Sequence, residues 1–126
     1  MLSLNNDSDI PLYSQLSTQI MESIVRGDLS TGDTLPSVRV LAGDLGVNMH
    51  TVNKSYHELE SKGIIEIVPK KGAVIKANEQ KISAKRIEIL SEEFRPIVVE
   101  ALVNGMKKEE IHQIITNIII KIKKED

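Results

Sequence analysis

The sequence predicts a mainly α-helical chain with one small β-hairpin in its middle and a helical tail behind it. Three observations carry this expectation. Leu12, Leu16, Ile20 and Ile24 recur every fourth residue, with Met21 and Val25 beside them, which makes one apolar stripe on a helix. After Gly63 the period drops to two: Ile65, Ile67 and then Val74 alternate with polar neighbours around Pro69-Lys70-Lys71-Gly72, the mark of a short hairpin. Beyond Asn78 Gly and Pro become scarce and helical spacing returns.

The first helix begins at Pro11, with Asp9 placed to cap it and Pro welcome in a first turn, and Gly27 ends it. A turn-rich link follows from Gly27 to Asp33. Pro36 blocks continuation from upstream, so Ser37 caps a short second helix reaching about Leu45, and Gly46 permits a sharp turn. Asn48 caps a third helix, about Met49 to Lys62, stopped by Gly63. The hairpin strands span about Ile64 to Val68 and Ala73 to Lys76. A long helix from about Gln80 to Val103 is expected to kink or split near Glu92 to Arg95, because Pro96 lacks a backbone donor. A last helix covers about Lys108 to Lys123. The expected boundary divides residues 1–77 from a tail of residues 78–126.

Composition narrows the function classes. The 126 residues are 40% hydrophobic and 27% charged, an ordinary globular balance. There is no Cys, which removes disulfide scaffolds, thiol chemistry and Cys-ligated zinc. Tyr13, Tyr56 and Phe94 are the only aromatics, so the core must be aliphatic and no stacking platform for single-stranded bases exists. No signal-like segment or run of roughly 20 apolar residues occurs, so the expectation is a cytoplasmic protein with no membrane partner. The formal net charge of −2 argues at first sight against a nucleic-acid binder.

The centre of the chain speaks more specifically. From Val38 to His57, Leu41, Leu45, Val47 and Val52 supply apolar contacts, Ala42 allows close approach, and Gly46 makes the turn between two short helices. Tyr56 and Leu59 extend the buried face. This is helix-turn-helix spacing, strengthened by the capped helix before it and the basic-tipped hairpin after it.

These segments resemble the GntR family of winged helix-turn-helix regulators. The likeness runs through Ile10-Pro11-Leu12-Tyr13, Gln15-Leu16, Gly27-Asp28-Leu29, Gly32-Asp33, Leu35-Pro36-Ser37-Val38-Arg39 and Leu41-Ala42. It continues in Val47-Asn48, Thr51-Val52-Asn53-Lys54, Tyr56-His57-Glu58-Leu59-Glu60 and Gly63-Ile64-Ile65. The short two-helix tail is similar to that of the YtrA subfamily; other branches carry a much larger C-terminal domain. The resemblance implies a DNA-binding transcription regulator, most often a repressor, frequently of nearby transporter genes.

It also implies roles for residues. The third helix would enter the major groove by its N-terminal end, presenting Asn48, Met49, His50, Thr51, Asn53 and Lys54 to bases and phosphates. Asn48 serves equally as a cap, and Thr51 can bond helix backbone instead. Ser37 and Arg39 open the second helix, where the family uses an Arg against DNA; a surface salt bridge is the other reading. Lys70, Lys71 and Gly72 form the wing tip that would approach the minor groove. Lys70 stands where the family turn usually has its first Gly, which adds charge and reduces backbone freedom. Met49 also departs from the usual family residue, so no operator sequence is carried over.

Charge agrees with this division. Between Pro36 and Lys76 six basic residues oppose four acidic ones, leaving +2, so the overall −2 averages a basic reading segment with an acidic N-terminal stretch and a tail of balanced charge. His50 and His57 lie two turns apart, roughly 10 Å, too far to share a metal without a third ligand. No metal site, cofactor, phosphate loop or catalytic constellation is expected, so the chain is not read as an enzyme. The competing class is a winged-helix protein-interaction adaptor that does not bind DNA.

The tail suggests self-association. Ile111, Ile114, Ile115, Ile118, Ile119 and Ile122 form a stripe about 140° wide, with Ile120 on the opposite side. The preceding helix adds Phe94, Ile97, Val98, Ala101 and Leu102. Two helices cannot cover this surface alone. The expected dimer interface therefore takes Phe94, Ile97, Val98, Ala101, Leu102, Ile115, Ile118, Ile119, Ile120 and Ile122. A two-fold dimer would read a palindromic or near-palindromic site in double-stranded DNA. A small-molecule effector is compatible with the resemblance, but no polar cluster marks its pocket.

Overall fold

The computed structural model describes residues 2–124. It divides into two compact units, one ending at Glu79 and one beginning at Gln80. In the first, α1 (Leu12–Arg26), α2 (Val38–Leu45) and α3 (Met49–Ser61) precede a hairpin of β1 (Ile65–Val68) and β2 (Gly72–Ile75). The second holds α4 (Ala84–Val103) and α5 (Lys108–Lys124).

The first unit has a continuous aliphatic core. Leu16 and Ile20 of α1, Leu41 and Ala42 of α2, Val52 and Leu59 of α3, and Ile65 and Ile75 of the hairpin are all buried together. On α3 the spacing Val52, Tyr56, Leu59 directs one face inward, which leaves the opposite face to solvent. Where α1 and α3 meet, Ser17 and Ser55 bond to each other at 2.9 Å, so the small buried hydroxyls satisfy one another.

The caps follow local chemistry. Ser37 Oγ accepts from the Val40 N–H at 3.2 Å, and Asn48 Oδ1 accepts from the Thr51 N–H at 3.0 Å. Gly46 takes the left-handed conformation the turn between α2 and α3 requires, with φ 69°. The start of α1 differs from the expectation. Asp9 does not cap it; Pro11 is the N-cap, one position outside the first turn, and its carbonyl receives the N–H groups of Ser14 and Gln15. The preceding segment is held by glutamine side chains instead. Gln15 Oε1 accepts from Asn5 N–H at 2.8 Å while its Nε2 donates to the Asn5 and Ile10 carbonyls. Gln19 pairs with both backbone groups of Ser3 in the same way. Four helical residues rise about 6 Å and two extended residues about 6.8 Å, so the two amides match alternate residues of an extended segment.

The hairpin is antiparallel, with Ile65 opposite Ile75 and Ile67 opposite Ala73. Its bounds shift slightly from those expected, and the alternation fails on β2. Ala73 and Ile75 join the core, yet Val74 on the other face is buried as well. The cause is a third extended piece. Thr34 bridges to Val74, with Leu35 N–H donating to Ala73 O and Ile75 N–H to Asp33 O, so β2 is flanked on both sides.

In the second unit α4 starts at Ala84, capped by Ser83, rather than near Gln80. Pro96 lies inside it without splitting it. Pro96 and its neighbours are exposed, so water can take the Glu92 carbonyl that loses its helical donor. Among the described residues neither α4 nor α5 buries a side chain, and the two do not pack closely along their lengths.

Candidate nucleic-acid interface

The candidate surface is built from the ends of α2 and α3 and the tip of the hairpin. Val52, Ser55, Tyr56 and Leu59 fix α3 from behind, so His50, Asn53, Lys54 and His57 stand exposed on its outer face, with Met49 exposed at its start. His57, read from sequence only as a surface residue, therefore shares a face with His50 and Asn53; its spacing of seven and four from them was the available signal. Asn48 and Thr51 are committed to the helix start. Asn48 Oδ1 accepts both the Thr51 N–H and, at 3.4 Å, the Thr51 hydroxyl.

Ser37 is likewise used as a cap, and Arg39 stands two residues after it, exposed. Among the described residues Arg39, Lys54, Lys70 and Lys71 pair with no carboxylate, so their charges are not cancelled locally. The salt-bridge alternative for Arg39 is not what the structure forms. Lys76, by contrast, bridges Glu66 at 3.8 Å and Glu79 at 3.6 Å, which removes one of the six basic residues counted for this segment.

At the wing tip Lys71 N–H donates to Val68 O at 3.0 Å, and Lys70 has φ 67°. Pro69 then Lys70 thus form a type II turn, whose third residue must take positive φ and is ordinarily Gly. Lys70 keeps the turn a glycine would make, at a strain on the order of 1 kcal/mol, and adds a cation at the tip. Gly72 has φ 108°, and a Cβ there would meet Thr34 Cγ2 at 3.4 Å.

Two contacts tie these parts together. Glu60 Oε2 on α3 accepts from the Ile67 N–H at 2.9 Å, fastening β1 to the helix. The Tyr56 hydroxyl donates to Pro36 O at 2.6 Å, fixing α3 to the entrance of α2. Burial pushes Tyr56 up to about 12, so it remains a donor across the neutral range.

The tail residues expected at an interface are placed as follows. Phe94, Ile97, Leu102, Ile115, Ile118, Ile119 and Ile120 are exposed, and Val98, Ala101 and Ile122 are half-buried. Among the described residues no group of three His, Asp or Glu is placed to hold a metal, and no helix is long and apolar enough to cross a membrane.

Residues 12–75 match the family model described as "Bacterial regulatory proteins, gntR family". The chain belongs to the GntR family. It is similar to the HTH-type transcriptional repressor YtrA of Bacillus subtilis, with 32% identity over 98% of this chain and 95% of that protein. That likeness runs through both units, as the short YtrA type of GntR protein requires. A solved structure titled as a transcriptional antiterminator from Listeria monocytogenes EGD-e superposes with a TM-score of 0.90 at 31% identity, covering 100% of this chain and 95% of that one. The DNA-binding domain of AraR, solved with operator ORX1, matches with a TM-score of 0.52 at 26% identity, covering 59% of this chain and 92% of that one. This GntR protein is a DNA-binding transcription regulator with a winged helix fold, and not an enzyme.

Proposed function

We propose that this GntR regulator is a repressor that acts in the cytoplasm as a homodimer on an inverted-repeat operator. Residues 1–77 read the DNA and residues 78–126 join two chains. Asn53, Lys54 and His50 face the major groove, with Met49 at the entering end of α3. Asn48 and Thr51 set that end. Ser37 and Arg39 meet a flanking phosphate, and Lys70, Lys71 and Gly72 approach the minor groove. The single observation that carries this reading is the exposed α3 face flanked by cations that, among the described residues, no carboxylate cancels.

The dimer is supported by the uncovered apolar faces of α4 and α5. The mechanism is occlusion: the dimer seated on a promoter excludes polymerase, and an effector that favours a different spacing between recognition helices would release it. Transport operons are the targets the family likeness suggests. Selection of bound DNA from a random pool at low salt tests the proposal. Enrichment of an inverted repeat is the expected result, and Lys70→Glu with Lys71→Glu weakens its binding broadly. No enrichment at low salt would contradict the DNA reading and favour a protein-interaction adaptor.

A further inference from the structure

Lys54 has no carboxylate partner among the described residues, yet its ammonium is held. Its Nζ lies 4.2 Å from the centroid of the Tyr13 ring. Tyr13 is half-buried in the first turn of α1, and its carbonyl oxygen accepts the Ser17 hydroxyl at 3.0 Å. Ser17 in turn bonds Ser55, the residue next to Lys54 on α3. This buried hydroxyl pair fixes the register of α1 against α3 beside Lys54, and the ring is thereby set against that lysine.

We propose that Tyr13 is a positioning residue for DNA recognition, holding the Lys54 ammonium ready for a phosphate of the duplex without neutralising it. The proposal rests on the reading of Lys54 as a DNA contact. A carboxylate in the place of Tyr13 would fix the lysine and cancel its field. A ring attracts the cation through its quadrupole and carries no net charge, so the positive potential toward DNA persists. A lysine already gathered on a ring also has less rotamer freedom to lose on binding. The ring is what matters, so its hydroxyl is dispensable.

A double-mutant cycle of Tyr13→Leu and Lys54→Met in the full chain tests this, with Tyr13→Phe beside it. Affinity is read by fluorescence anisotropy on DNA selected by the wild type, across a salt series. The Lys54 ε-methylene protons are followed by NMR in the DNA-free protein. In the wild type and Tyr13→Phe these protons are shifted by the ring current, and in Tyr13→Leu they are not. Tyr13→Leu weakens binding roughly two- to fivefold with an unchanged salt slope. Lys54→Met lowers the slope by about one phosphate contact. In the Lys54→Met background Tyr13→Leu has no further effect. Unshifted protons in the wild type overturn the proposal. So does a Tyr13→Leu loss that persists without Lys54, or an equal loss in Tyr13→Phe. If the wild type binds no duplex at all, the regulator reading falls with it, whereas a failed cycle with binding intact sinks only the role of Tyr13.

Discussion

The two units of this chain treat the same aliphatic residues in opposite ways. In the first, Leu16, Val52, Leu59 and Ile75 are sealed from solvent. In the second, Phe94, Ile97, Ile118 and Ile119 are each about half or more exposed, and no described residue is buried. The side chains have similar chemistry, so the difference is one of topology. Three helices and a sheet converge on one centre in the first unit, while α4 and α5 lack even each other's cover along most of their lengths. Since apolar burial stabilises by about 25 cal/mol per Å², a surface of this kind favours association, as the proposed dimer requires. The first unit has its own core; the second has the surface of half a core.

The largest effect expected comes from breaking that second half. Ile115→Glu with Ile118→Glu should convert the proposed dimer to monomers in sedimentation equilibrium. Affinity for an inverted repeat should fall about 100-fold or more, because the second recognition helix is no longer tethered. The melting transition of the first unit should stay where it was; a parallel loss there would erase the distinction between the units. Within the first unit, Leu59→Ala leaves a cavity at a fully buried site and should cost about 2–5 kcal/mol in denaturant unfolding.

A smaller effect follows from the Tyr56 hydroxyl. Its pKa is raised from 10.0 to about 12 by burial, so the unfolded chain ionises first. The stability it contributes is intact below pH 10 and lost as pH rises toward 12. Tyr56→Phe should flatten that window in a pH series of thermal melts. At neutral pH it should cost about 1 kcal/mol for the lost bond to Pro36 O.

The smallest expected change sharpens the comparison inside the reading surface. Lys70→Gly relieves the positive φ and should stabilise the wing by about 1 kcal/mol. The same change removes a cation, so DNA affinity should fall and the salt slope drop by about one contact. A variant that gains stability and affinity together would remove Lys70 from the DNA surface.

Much of the first unit was legible in sequence because its signals are local. Ser37 and Asn48 cap the helices they precede, and Gly27, Gly46 and Gly63 turn where spacing placed them. What stayed hidden depends on residues distant in the chain. Thr34 meets Val74 only once the hairpin folds back, and that bridge explains why Ala73, Val74 and Ile75 are buried in succession where alternation expected one face. Pro11 could displace Asp9 as the cap because Gln15 and Gln19 secure the entering segment, a pairing no helical period announces. Pro96 was expected to kink or split α4; the helix is not split, because in an exposed helix the lost bond can be replaced by water. The candidate DNA surface was legible by family likeness, while the Tyr13 contact with Lys54 needed the register of α1 on α3.

If one unit reads DNA and the other pairs two chains, the stoichiometry of the chain on DNA reveals it. Sedimentation of the full chain with a selected duplex, and with a duplex cut to one half-site, gives the number of chains bound. Two chains on the whole site and greatly weakened binding to the half-site are expected from this division of roles. One chain per duplex, held equally well by the half-site, would contradict it.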